Sequence, residues 1–201
     1  MLKSYKTVKC CGKAQKEFKK SLFIGYVKPV ENEDEAKAFI KRIKELHRDA
    51  THNVSAYLVK EKSSFTFKYD DDGEPAGSSG RPIFKILESK EILNIVIVVT
   101  RYFGGIKLGF GGLSRAYRDT ALSAIEKAGI VEVIEQVRLR ISLEYSESQK
   151  VRNLIEKYGI IQEEIYLDTV EFILLVKEEF EAEFVKKVRD QTKNKVELEK
   201  I

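Results

Sequence analysis

The stretch ILNIVIVVTRYF, residues 92–103, constrains the fold most. It is continuously apolar and rich in β-branched side chains, with no polar alternation. Such a run is the mark of a strand buried on both faces. It leads directly into GGIKLGFGG, residues 104–112, where five glycines fall within nine positions. Beyond that loop, Leu113, Ala116, Tyr117, Thr120, Ala121, Ala124, Ile125 and Ala128 recur at helical spacing, and Gly129 stands where a C-cap glycine belongs. The segment reads as strand, glycine loop, helix.

The flanking sequence supplies further strands and helices. SLFIGYVKPV (21–30) reads as a strand. A helix follows, with Asn32 as N-cap, Glu35 three residues on, and Ala36, Phe39, Ile40, Ile43 and Leu46 on one face. HNVSAYLVK and FTFKYD read as a strand pair. DDDGEPAGSSGRP is a turn-rich loop, and 81–88 is a short helix behind Ser78 and Ser79.

After Gly129 the texture changes. Val137, Leu139, Ile141, Leu143 and Tyr145 alternate on one face of a strand. Ser146 and Gln149 frame a capping box for a helix carrying Val151, Leu154, Ile155 and Tyr158, closed by Gly159. Two strands follow, then a helix with Phe180, Phe184, Val185 and Val188, then a last strand. The order β-α-β-β-α-β is that of a ferredoxin-like domain. The expectation is an α+β chain of two domains, 1–130 and 136–201.

Charge divides along the same line. Residues 1–130 hold 24 Lys and Arg against 16 Asp and Glu, whereas 131–201 hold 12 against 16. The first 20 residues carry Lys3, Lys6, Lys9, Lys13, Lys16, Lys19 and Lys20 against Glu17 alone. Such a start favours an anionic partner. No apolar run approaches the roughly 20 residues that span a bilayer, and the first residues do not read as a secretory signal. A cytoplasmic protein without a membrane partner is expected. Cys10 and Cys11 are adjacent and there are two histidines, so neither a structural zinc site nor another metal centre is expected.

The glycine loop permits two readings. Gly109, Gly111 and Gly112 sit at the helix start, where free N–H groups and the helix dipole attract anions. Arg101, Lys107 and Arg115 add positive charge, and Gly104 and Gly105 add backbone freedom. Alternatively the glycines allow a tight crossing from strand to helix. Neither named phosphate loop fits. The dinucleotide fingerprint starting at Gly109 ends on Ser114, and Phe110 stands where a P-loop needs Lys. In the acidic loop, Asp71, Asp72 and Glu74, followed by Pro75, are read either as metal or acid–base groups or as turn chemistry. A hydrolase would need Ser78 or Ser79 beside His47 or His52, and no nucleophile elbow is present.

FKKSLFIGYV, AKAFIKRIKELHRDATHNVSAY, DDGEPAGSSGRPI and VVTRYFGGIKLGFGGLSRAY together resemble the YigZ/IMPACT family. DDGEPAG and RYFGGIKLGFGGLSRAY are the most specific of these stretches. The resemblance implies an N-terminal domain of the ribosomal-protein and elongation-factor β-α-β type, like domain IV of elongation factor G. It implies a C-terminal domain like domain V of that factor. It also implies a role in translational control, which in eukaryotic relatives is tied to translation initiation. The chain departs from the family pattern at Leu22, Thr51, Asn53 and Val54, where Arg, Arg, His and Cys are usual. The last change removes the one cysteine that would serve as a nucleophile.

The expected function is therefore a non-enzymatic, translation-associated regulator. It would bind RNA or the ribosome through Lys19, Lys20, His52, Arg81, Arg101, Lys107, Arg115 and the glycine loop. No cofactor and no DNA specificity is expected. Two alternatives stand beside it: an enzyme that holds phosphate or nucleotide on the glycine loop with the acidic loop, and a regulator that binds a protein partner.

Overall fold

The β-branched run forms β6 (Ile95–Tyr102), the middle strand of a five-stranded antiparallel sheet. The computed structural model describes residues 4–61 and 64–201. Lys3, part of the lysine-rich start, lies outside the described residues. The sheet order is β2-β3-β6-β4-β5, built from β2 (Gly12–Phe18), β3 (Ser21–Pro29), β4 (His52–Glu61) and β5 (Ser64–Asp70).

Alternation along β6 divides its side chains between two cores. Val96 and Val98 face α1 (Glu33–Leu46), where they join Tyr26, Tyr57, Phe39, Ile40 and Ile43. Ile95, Ile97 and Val99 face α2 (Gly80–Lys90) and α3 (Gly109–Ala128), where they join Ile83, Leu87, Leu113 and Ala121. Helices on both faces explain why β6 shows no polar alternation, although every neighbour runs antiparallel. Asn32 caps α1 by accepting from the Glu35 N–H at 2.9 Å.

The lysine-rich start is structured. Ser4–Val8 forms β1, which pairs with β7 (Ile130–Ile134) in a separate two-stranded sheet. The following residues are β2, the edge partner of β3. Gly12 and Ala14 are its buried positions, Lys13 is exposed on the opposite face, and Lys16 is half-buried on theirs. Lys19 and Lys20 make the two-residue turn from β2 to β3, with φ of 46° and 63°. Positive φ at both central positions is the hairpin geometry that matches strand twist.

The chain divides into two compact units, Tyr5–Val133 and Ile134–Ile201. The second contains β8 (Gln136–Leu143), α4 (Tyr145–Tyr158), β9 (Gly159–Tyr166), β10 (Val170–Lys177), α5 (Glu181–Gln191) and β11 (Val196–Lys200). Its sheet order β11-β8-β10-β9 is antiparallel throughout, as in a ferredoxin-like domain. Val137, Leu139, Ile141 and Leu143 face its core as expected. Tyr145 does not. It opens α4, is 51% exposed, and donates to the Leu167 carbonyl at 2.7 Å. The helix thus starts before the proposed capping box: Glu144 is the N-cap residue and makes no side-chain cap bond, while Ser146 lies inside the first turn.

Candidate functional site

The end of β6 delivers Arg101 into the protein rather than to its surface. The residue is only 5% exposed. Its guanidinium Nη1 donates to Glu74 Oε1 at 2.7 Å, and it lies over the rings of Phe23 and Phe103. Tyr117, from α3, donates its hydroxyl to the same Glu74 oxygen at 2.7 Å. Burial and that carboxylate push the Tyr117 phenol far above the ordinary tyrosine range. His52, at the start of β4, completes the group. Its Nδ1 lies 2.8 Å from the Asp72 carbonyl, which can only accept, so Nδ1 carries the proton. Its Nε2 faces Glu74 Oε2 at 3.8 Å.

The other acids of this loop also have partners. Asp71 accepts from the N–H groups of Gly77, Ser79 and Gly80 at 2.7, 3.0 and 2.8 Å, so it caps the start of α2. Asp72, with φ of 47°, accepts from Asn53 N–H and from Lys44 Nζ, each at 2.6 Å. The exposed Pro75 lends its carbonyl to Ser78 N–H at 2.9 Å. The hydroxyls of Ser78 and Ser79 bond to each other at 2.9 Å, not to a histidine. His47 sits between the hydroxyls of Tyr26 and Tyr102, at 2.7 and 2.9 Å. Burial, and then the nearby Lys13, hold its imidazole below the ordinary histidine value. Among the described residues, no group of three or more His, Cys, Asp or Glu is arranged to hold a metal ion.

The glycine loop runs past this cluster. Gly104 is fixed by close approach: a Cβ there would collide with the Lys20 carbonyl. Its N–H donates to Ser21 Oγ at 3.1 Å. This contact brings the Lys19–Lys20 turn against the loop. Gly105 and Gly109 have φ of 85° and 72°, with open space where a side chain would stand. Gly111 also faces open space, and Gly112 packs on Leu108. No side chain caps the start of α3. Phe103, Ile106, Lys107 and Phe110 are exposed around the loop.

Arg81 and Arg115 meet elsewhere. They line a groove of about 1120 Å³ between α2 and α3, together with Lys85, Lys90, Arg118 and Phe110. Asp119 and Glu126 are its two acids. Arg115 reaches Asp119 at 3.5 Å. The structure therefore separates the expected site residues into three places. Arg101 and His52 are inside with Glu74, Lys19, Lys20 and Lys107 border the glycine loop, and Arg81 and Arg115 line the helical groove. Lys85, Lys90 and Arg118 were not singled out from the sequence. Their spacing was the available signal, since Lys85 follows Arg81 by four residues and Arg118 follows Arg115 by three.

Comparison with known proteins bears on the two stretches that build the buried cluster, 71–77 and 101–117. The family model of the Impact N-terminal domain matches residues 19–125, and that of a domain of unknown function, DUF1949, matches 141–195. The IMPACT family member YvyE of Bacillus subtilis is 38% identical over 199 residues, covering 98% of this chain and 91% of that protein. The chain belongs to the IMPACT family. A family member from Haemophilus influenzae is 36% identical over 147 residues, covering 73% of this chain and 71% of its own. YigZ of Escherichia coli is 40% identical over 102 residues, half of each chain. A solved hypothetical protein superposes with a TM-score of 0.67 at 28% identity, covering 100% of this chain and 98% of that one. Within this IMPACT chain, three of the positions at which other residues are expected from the sequence resemblance have structural partners. Val54 is buried in the core, Thr51 Oγ1 accepts from Phe103 N–H at 3.1 Å, and Asn53 Oδ1 accepts from Thr100 at 2.7 Å. No helix among the described residues is long and apolar enough to cross a membrane.

Proposed function

We propose that this IMPACT-family chain is a non-enzymatic regulator of translation that binds RNA, in the ribosome or free, through the basic face of its N-terminal domain. Family membership supports the link to translation. The α2–α3 groove is the observation that carries RNA binding. Four of its five cations, Arg81, Lys85, Lys90 and Arg118, have no ion-pair partner among the described residues. Exposed cations with no counter-charge are the electrostatic footprint of a polyanion. Lys19, Lys20, Lys107 and the N–H groups at Gly109–Gly112 offer a second basic surface at the glycine loop. Arg101 supports the loop from inside.

The non-enzymatic reading is supported by the acidic loop. Asp71, Asp72 and Glu74 are the groups an acid–base or metal-dependent enzyme would need, and each is committed to backbone N–H groups, Lys44 or Arg101.

The test is purification of the full chain from cells at low salt, with and without nuclease. RNA that copurifies, and ribosomal particles that nuclease or salt releases, are expected. A chain recovered free of nucleic acid at low salt would remove this reading.

A further inference from the structure

The edge strand β5 carries Phe65, Phe67 and Tyr69 at alternate positions, and they are 51, 57 and 40% exposed. Alternation puts all three on one side of the strand, at intervals on the order of 7 Å. Phe84 of α2 lies beneath Phe67 and Tyr69. Its ring centroid is 5.0 Å from that of Phe67, with planes 23° apart, and 5.6 Å from that of Tyr69, with planes 32° apart. The stack holds these rings in place while leaving wide aromatic surface in water. Exposed aromatics in such a row are unusual on a strand whose core work is done by its neighbour β4.

Their surroundings point to an occupant. Phe84 stands on α2 three residues after Arg81 and next to Lys85, both exposed and without an ion-pair partner among the described residues. Glu88 is the one acid on that helix. Arg81, one turn before Phe84 on α2, is therefore the cation nearest the aromatic row along that helix, and Lys85 stands on the flank of the same turn. A groove or strip of that composition suits a chain with both flat bases and phosphates. A duplex offers its phosphates but keeps its bases stacked on each other. A single strand offers both.

We propose that β5 is a stacking platform for single-stranded RNA, with bases on Phe65, Phe67 and Tyr69 and the backbone held by Arg81 and Lys85. This rests on the RNA reading above and narrows it to unpaired segments.

The probes are a single-stranded 12-nucleotide RNA carrying 2-aminopurine and a perfectly paired RNA hairpin closed by a non-nucleotide linker, both titrated into the full chain. Phe65→Leu makes no change at Phe84, since no ring contact of Phe65 is involved. Phe65→Leu/Phe67→Leu keeps apolar cover over Phe84. Each ring removed should weaken single-strand binding about tenfold, leave the salt dependence unchanged, and leave hairpin binding unchanged. The 2-aminopurine quench on binding should shrink in parallel. Single-strand affinity equal to wild type in both variants overturns the platform, as does a wild type that prefers the hairpin. Arg81→Ala/Arg118→Ala separates the two readings. It should weaken both probes and flatten the salt slope, which would sustain RNA binding even if the aromatic variants refute stacking. A wild-type chain that binds neither probe ends both.

Discussion

Replacing Glu74 by Gln should damage the N-terminal domain more than any surface charge change. The side chain keeps its size, and its amide oxygen still accepts from Tyr117. What disappears is the negative charge 2.7 Å from the Arg101 guanidinium. Arg101 is 5% exposed and its Nε has no hydrogen-bond partner among the described residues, so Glu74 is its main compensation. Breaking a buried pair from one side costs about 3–5 kcal/mol, because the remaining charge is left unpaired. Against a total stability of about 5–15 kcal/mol, that is about a fifth or more of what holds the domain together. Urea denaturation followed by circular dichroism measures it. The partner variant Arg101→Met and the double variant Glu74→Gln/Arg101→Met complete a cycle. The double variant should be more stable than Glu74→Gln, and the coupling should reach at least about 2 kcal/mol. A Glu74→Gln loss under about 1 kcal/mol, or additive losses, would refute the assignment of Arg101 as a buried, Glu74-compensated charge.

Gly104→Ala should destabilise severely, by several kcal/mol, because the new methyl collides with the Lys20 backbone and the turn must open; a melting temperature within a degree or two of wild type would contradict the close approach. Burial chiefly lowers the His47 value in the folded state, whereas the unfolded chain titrates near 6.5. The unfolded state therefore binds more protons as pH falls through about 6.5, and this contribution to stability is present above that pH and lost below it. His47→Gln should flatten the pH dependence of the denaturation midpoint between pH 7 and 5, and an unchanged profile would exclude His47 as its source. The fragment 136–201, with its own sheet and core, should unfold cooperatively when expressed alone; a gradual melt would show that it depends on the rest of the chain.

Some of this was legible in the sequence because short-range pattern decides it. The run at 95–101 has to be a doubly covered strand, and the C-terminal alternation and helical spacing yield the βαββαβ order directly. β1 and β2 were harder. In β2 the buried positions are Gly12 and Ala14, too small to register as apolar alternation, while Lys13 and Lys16 stand out in the composition. β7 has half-exposed valines and reads as linker. The buried cluster was beyond local pattern altogether. Glu74 and Arg101 lie on different elements, and nothing near Arg101 in sequence signals that its charge is neutralised. The motif that drew attention to the loop thus contained an inward-facing residue, and the outward cations of α2 and α3 were visible only as i,i+3 and i,i+4 spacing.

The salt dependence of RNA binding tests the central claim most directly. The full chain and Arg81→Ala/Arg118→Ala are titrated against ribosomal RNA from about 50 to 200 mM salt. Each neutralised phosphate contributes roughly 0.7 to the log–log slope for single strands. A steep slope for wild type, flattened by about 1 to 2 units in the variant with its fold intact, is the result expected if the α2–α3 face grips the backbone. Affinity that ignores salt, or a variant that binds with the wild-type slope, would contradict it.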